Sequence, residues 1–233
     1  MARMNDALGT AIAAYQHNKS AATLWIHNKY GPKESMPVNT YFRGYDTMPE
    51  LEQAALEACT GSILDIGAGA GSHTLVLQQW QQEVTALDIS PLCCDVMRLR
   101  GVNHVICADA HTFAPASRYD TLLMLMNGIG FTGTLAGLRS FLQHARVLLN
   151  PGGQLLLDSS DVAYVYEYGL PDPAHYYGEI PYRYQYGRIK TDWFNWLYID
   201  RFTLAALAKE AGFSFLLLYE DSFGQYLVRL QPV

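Results

Sequence analysis

The chain has 233 residues, half of them apolar and 16% charged, enough for one α/β domain with a buried core and inconsistent with a disordered polymer. Its formal charge of −6, with Lys and Arg scattered, argues against the basic footprint of a nucleic-acid binder, and the four cysteines (Cys59, Cys93, Cys94, Cys107) have no zinc spacing and are too few for a disulfide framework. No apolar run approaches the ~20 residues that span a bilayer, and Asn5 and Asp6 interrupt the start, so the expectation is a cytoplasmic protein with no membrane partner.

In chain order, residues 5–17 have helical spacing, with Leu8, Ile12 and Tyr15 on one face. A polar connection dotted with aromatics runs from 18 to 46. A second helix is expected from 47, with Thr47 and Glu50 as a capping box and Pro49 near the first turn; it carries Leu51, Ala55 and Leu56 to a sheet. Strands are expected at 62–66, 84–88, 104–107, 119–126 and 154–158, alternating with helices at 72–80, 91–100 and 135–149. The fourth strand is apolar throughout its centre, as a strand covered on both faces must be. Asn150-Pro151-Gly152-Gly153 terminates the helix before the fifth. Residues 159–200 then hold 12 of the 29 aromatic residues, with Tyr182, Tyr184 and Tyr186 at strand period. Pro171, Pro173 and Pro181 forbid a continuous helix there, so this stretch reads as a β-rich insertion. A helix at 203–211 ends at Gly212, and strands at 213–220 and 225–230 around a turn at 221–224 form an antiparallel pair.

The run ILDIGAGAGS at 63–72 sends an apolar strand into a glycine turn. Gly67, Gly69 and Gly71 lie two apart, whereas the dinucleotide pattern G-x-G-x-x-G would place its third glycine at 72, which is Ser72. Glycines in such a turn permit positive φ and let a ligand reach the backbone without meeting a Cβ. Asp65 is a poor neighbour for a pyrophosphate and suits a ligand bearing an ammonium group. Asp88 ends the next strand and can accept hydrogen bonds from both ribose hydroxyls; Ser90 and Pro91 already start the following helix.

A strand ending in D-x-G-x-G-x-G resembles the first motif of the class I S-adenosylmethionine-dependent methyltransferases. The resemblance covers residues 50–158 and, at the level of strand order, the remainder. It implies an α/β, Rossmann-like doubly wound fold: a mostly parallel seven-stranded sheet, a C-terminal antiparallel hairpin and the aromatic-rich insertion after strand five. It also implies S-adenosylmethionine as cofactor. Asp65, Gly67, Ala68, Gly69 and Gly71 would lie at its methionine and ribose, Asp88 with Ile89 at the ribose, and Asp109-Ala110 at the adenine amino group. At the end of the fourth strand, Met126 and Asn127 would border the cofactor, and Asn127 either faces the methyl group or substrate, as the candidate catalytic residue, or satisfies the turn before Gly128. Arg43, in YFRGY, either pairs with the cofactor carboxylate or is a surface arginine. No D/N-P-P-Y signature of nucleic-acid amino-methylation is present.

The expected organisation is a single methyltransferase domain over 1–233, with an N-terminal helical or lid segment (1–46), a cofactor-binding core (47–158), the insertion (159–200) and a closing helix and hairpin (201–233). The expected activity is methyl transfer to a small-molecule acceptor. Alternatives are methylation of a protein or RNA, a non-catalytic cofactor-binding module, and an NAD-dependent oxidoreductase, the last disfavoured by Ser72 and the final hairpin. No metal site is expected, His111 and Asp158 read as structural, and the sequence sets no oligomeric state.

Overall fold

The computed structural model describes residues 5–18, 23–166 and 175–233. In chain order the elements are α1 (Ala7–Asn18), β1 (Leu24–Asn28), β2 (Glu34–Met36), α2 (Glu50–Glu57), β3 (Ile63–Ile66), α3 (Ser72–Gln79), β4 (Val84–Asp88), α4 (Pro91–Leu99), β5 (Val105–Cys107) and β6 (Tyr119–Met124). They continue with α5 (Leu135–Leu148), β7 (Leu149–Ser160), β8 (Glu179–Tyr186), β9 (Ile189–Lys190), β10 (Phe194–Leu197), α6 (Arg201–Glu210), β11 (Phe213–Glu220) and β12 (Gln225–Pro232).

The larger sheet has the order β11-β12-β7-β6-β3-β4-β5, with β12 antiparallel to both neighbours and all other pairs parallel. Alternation sorts its side chains to two faces. Leu64, Leu122, Leu155 and Val228 meet Phe141, Leu142 and Leu204 of α5 and α6. Ile63, Leu123, Leu156 and Leu227 meet Leu51, Leu56 and Leu77 of α2 and α3. Capping sets several helix starts: Ser90 accepts from Cys93 N, Thr134 from Gly137 N, and Asp200 from Phe202 N and Thr203 N. This is the doubly wound, mostly parallel seven-stranded sheet expected from the sequence.

The second sheet is antiparallel, ordered β10-β8-β1-β2 with β9 paired to β8. It joins the insertion to the N-terminal segment, Leu24 lying opposite Tyr186. Residues 18–46 are therefore more than a connection: they supply two strands. Pro171 and Pro173 lie outside the described residues. The expected capping box also fails to form. Met48 precedes Pro49 and is pushed to an extended conformation (ψ 145°), so α2 starts later, and Thr47 Oγ1 donates instead to Gly44 O (3.0 Å). β7 begins at Leu149 rather than after the Pro-Gly-Gly stop, because a register shift opposite Tyr119 and Thr121 absorbs those residues as a bulge.

Candidate active site

The carboxyl ends of the parallel strands and the second sheet wall one cavity of about 760 Å³, within the usual range of ligand pockets. Gly67, Asp88 and Asp109 border it on one side, and Met36, Tyr182 and Trp196 on the other.

The glycine turn divides its duties. Gly67 has φ +75°, and a Cβ there would meet no atom within 4 Å, so bare backbone borders the cavity. Gly71 has φ +79°, but its Cβ would come within 2.9 Å of Val102 Cγ2 and 3.0 Å of Met97 Cγ. Its requirement is close packing beside α4, and it does not line the cavity. Ala68 and Gly69 do. The turn is held from outside by Arg100 Nη1, which donates to Ala70 O (2.6 Å).

Asp88 accepts from Gly69 N and Ser90 N, each at 2.8 Å, one bond per carboxylate oxygen. Each oxygen keeps a lone pair for a ligand hydroxyl. Burial pushes this carboxyl up to about 6, against the pull of the two backbone donors. Asp65 is 2% exposed and accepts from Thr74 Oγ1 at 2.5 Å; burial raises it too, while nearby His73 and Thr74 oppose the shift. Asp109 accepts from His111 N at 2.9 Å, and Ala110 and Ile89 line the cavity beside it.

A buried charge network that sequence reasoning missed adjoins the turn. Arg43 Nη2 donates to Glu52 Oε1 at 2.5 Å, and Glu52 Oε2 lies 2.9 Å from His73 Nε2. Burial pulls the Glu52 carboxyl upward, but His73 and Arg43 hold it below its ordinary value. Burial pulls His73 down, but Glu52 and Asp65 raise it. Arg43 itself lines the cavity, and its buried Nε has no partner among the described residues. An unpaired buried donor of this kind is costly unless a ligand completes it. Glu52 and His73 stand alone on separate helices, and no local pattern in the sequence marks them as a pair.

Met126 borders the cavity, with φ +60°, but Asn127 does not. The Asn127 side chain donates to Leu197 O (3.1 Å) and accepts from Ser159 Oγ (2.8 Å), while its backbone N–H donates to Asp158 Oδ1 (2.8 Å). Of the two readings of Asn127, these bonds favour the structural one, in which its amide ties β10 to β7. Asp158 is likewise internal and is pushed up to about 7 by burial. His111 lines the cavity with its ring edge-on to Phe131 at 4.8 Å. Among the described residues no group of His, Cys, Asp and Glu is arranged to hold a metal, and no helix is long and apolar enough to cross a membrane.

Comparison with known proteins supplies the context for this geometry. A family model described as a methyltransferase domain matches residues 40–218. The crystal structure of a SAM-dependent methyltransferase from Bacteroides fragilis, in complex with S-adenosyl-L-homocysteine, is 41% identical. The alignment covers 98% of this chain and 96% of that one, with a TM-score of 0.90. Two more distant structures share the fold. A SAM-bound amino pentose methyltransferase from Micromonospora echinaspora has 15% identity, a TM-score of 0.58 and coverage of 87% and 100%. The CcbJ methyltransferase from Streptomyces caelestis has 15% identity, a TM-score of 0.64 and coverage of 82% and 99%. A search of curated proteins finds no match.

Proposed function

The chain belongs to the S-adenosylmethionine-dependent methyltransferases, with S-adenosylmethionine as its cofactor, and from that premise we propose that it methylates a small molecule. One observation carries the reading. The second sheet contributes Tyr182, Tyr184 and Trp196 to the same chamber as Gly67 and Asp88, leaving about 760 Å³ for cofactor and acceptor together. That is the size of a ligand pocket rather than of a groove for a macromolecule. The net charge of −6 also disfavours an RNA acceptor.

In this reading Asp88 accepts the two ribose hydroxyls, and Asp65 attracts the cofactor ammonium. Arg43, pinned by Glu52, turns its unpartnered Nε to the carboxylate. Asp109-Ala110 border the adenine, and the bare backbone at Gly67 admits the methionine and ribose. The cofactor, when bound, supplies a methyl group already activated by its sulfonium charge. What remains for the chain is to hold a nucleophile in line with that methyl, an effect worth up to ~7–11 kcal/mol in ideal cases.

Thermal shift with S-adenosylmethionine, S-adenosylhomocysteine and NAD in parallel tests the cofactor half. A ligand at ~100 times its dissociation constant adds roughly 2.7 kcal/mol of stability. The first two are expected to stabilise the protein, and stabilisation by NAD alone would overturn the reading. Methyl incorporation from labelled cofactor into ultrafiltered fractions of a cell extract tests the acceptor half. Label confined to the macromolecular fraction would rule out a small-molecule acceptor.

A further inference from the structure

Resting on that cofactor reading, we propose that the wall built by the second sheet is an aromatic, hydroxyl-lined cage for an amine, so that the methylated atom is the nitrogen of a small amine.

Four phenols meet in this wall: Tyr41 from the segment before α2, Tyr182 and Tyr184 from one face of β8, and Tyr198 just after β10, all bordering the cavity. Tyr182 Oη donates to Tyr198 Oη at 3.3 Å. The hydroxyls of Tyr41 and Tyr184 have no hydrogen-bond partner among the described residues, although both phenols are close enough to Tyr198 to interact with it electrostatically. Burial raises all four phenols, which therefore remain neutral and keep lone pairs to offer an N–H donor. Ring faces complete the wall, with Phe194 packed 5.3 Å from Tyr184 and 6.3 Å from Trp196.

The charges that act on these phenols are carboxylates, while Arg183 and Lys29 are stacked on the Trp193 ring nearby. Asp88 acts on Tyr41, and Glu34 acts on Tyr182 and Tyr198. Among the described residues lining the cavity, Arg43 is the only Arg or Lys, and Glu52 already pairs with it. Among the described Arg and Lys, a carboxylate or phosphate on the acceptor would find only Arg43 in the lining, held by Glu52 and, in the cofactor reading, by the cofactor carboxylate. An ammonium would find ring faces, phenol oxygens and carboxylates together.

Charge also moves towards this wall during the reaction. An amine that enters as an ammonium first gives a proton to water. Its lone pair then forms the N–C bond as the S–C bond breaks, and that bond's electrons pass to sulfur. Positive charge thereby leaves sulfur and arrives on nitrogen, and the product nitrogen afterwards sheds a proton to water. A wall that favours cationic nitrogen stabilises the transition state more than a neutral bound amine, which is the condition for raising kcat.

The test uses calorimetric titration of the S-adenosylhomocysteine-saturated protein with three matched probes: benzylammonium, benzyl alcohol and benzoate. Benzylammonium is expected to bind about tenfold or more tighter than benzoate, with benzyl alcohol between them. Tyr184→Phe removes a hydroxyl without a protein partner. It is expected to weaken benzylammonium about fivefold while leaving S-adenosylhomocysteine affinity and benzyl alcohol affinity unchanged. Benzoate binding as tightly as benzylammonium, or no probe binding while S-adenosylhomocysteine binds normally, overturns the cage alone. Failure to bind S-adenosylhomocysteine overturns the cofactor reading and the cage with it.

Discussion

In the larger sheet, the residues bordering the cavity gather where parallel strands end: Gly67 after β3, Asp88 and Ile89 at the end of β4, Leu125 and Met126 after β6. In the smaller sheet several lie within strands, as Ile26, Tyr182, Tyr184 and Trp196, with Tyr182 and Tyr184 on one face of β8. The first half offers backbone and carboxylates whose placement depends on turn geometry. The second offers side chains on a regular scaffold, which can be exchanged without disturbing strand register. In the proposed reading, cofactor recognition is thus tied to backbone conformation, and acceptor recognition to replaceable side chains.

The largest expected effect breaks the joint between the halves. Asn127→Ala removes the amide bonds to Leu197 and Ser159 and leaves an alanine at φ +54°. It should cost about 3 kcal/mol in urea unfolding. A loss of activity without that loss of stability would return Asn127 to the chemistry. Next, Asp88→Asn exchanges an all-accepting group for one that accepts on one side only. S-adenosylhomocysteine affinity should fall about tenfold to a hundredfold, near 2 kcal/mol by calorimetry. An unchanged affinity would remove the ribose assignment. Burial raises Asp88 to about 6, so the same affinity in the unaltered protein should decline as pH drops below about 6.

Gly67→Ala and Gly71→Ala separate ligand approach from packing. The first should cost about 1 kcal/mol of stability from its left-handed backbone and weaken cofactor binding further. The second, crowding Val102 and Met97, should cost stability with smaller change in affinity per molecule folded. Equal binding losses would erase the distinction. A pH-dependent effect concerns Asp158. Its folded value, about 7, exceeds the ordinary carboxylate value of 3.8, so the folded state holds the proton more tightly than the unfolded chain. Its contribution to stability therefore falls as pH rises through that window, by on the order of 1 kcal/mol per unit. In urea melts at pH 5 to 8, Asp158→Asn should flatten this slope; an unaltered slope would contradict the assignment.

The halves also differ in how far the sequence revealed them. β4 falls at Val84–Asp88 as expected, and Ser90 with Pro91 opens α4 as expected, because apolar runs, caps and glycine turns act over a few residues. β1, reading LWIHN, has no clean alternation and is placed by pairing with the three-residue β2 on one edge and with β8, far along the chain, on the other. The β-rich character of the insertion was legible in its tyrosine spacing, but its union with residues 24–36 was not. Asp65, Asp88 and Asp109 were found because each stands near the carboxyl end of a strand or just past it. Glu52 and His73 were not, because their pairing exists only once α2 and α3 lie side by side.

The pairing of Leu24 with Tyr186 sets an order on biosynthesis. At ~5–20 residues per second, a ribosome delivers β8 about 10–30 s after β1. The nascent βα units beginning at Ile63 have their local partners within that interval, whereas the tryptophan-bearing first strand has only the short β2 beside it until β8 joins its other edge. The proposed acceptor wall is therefore completed only after the cofactor-facing ends of β3, β4 and β6 have been made.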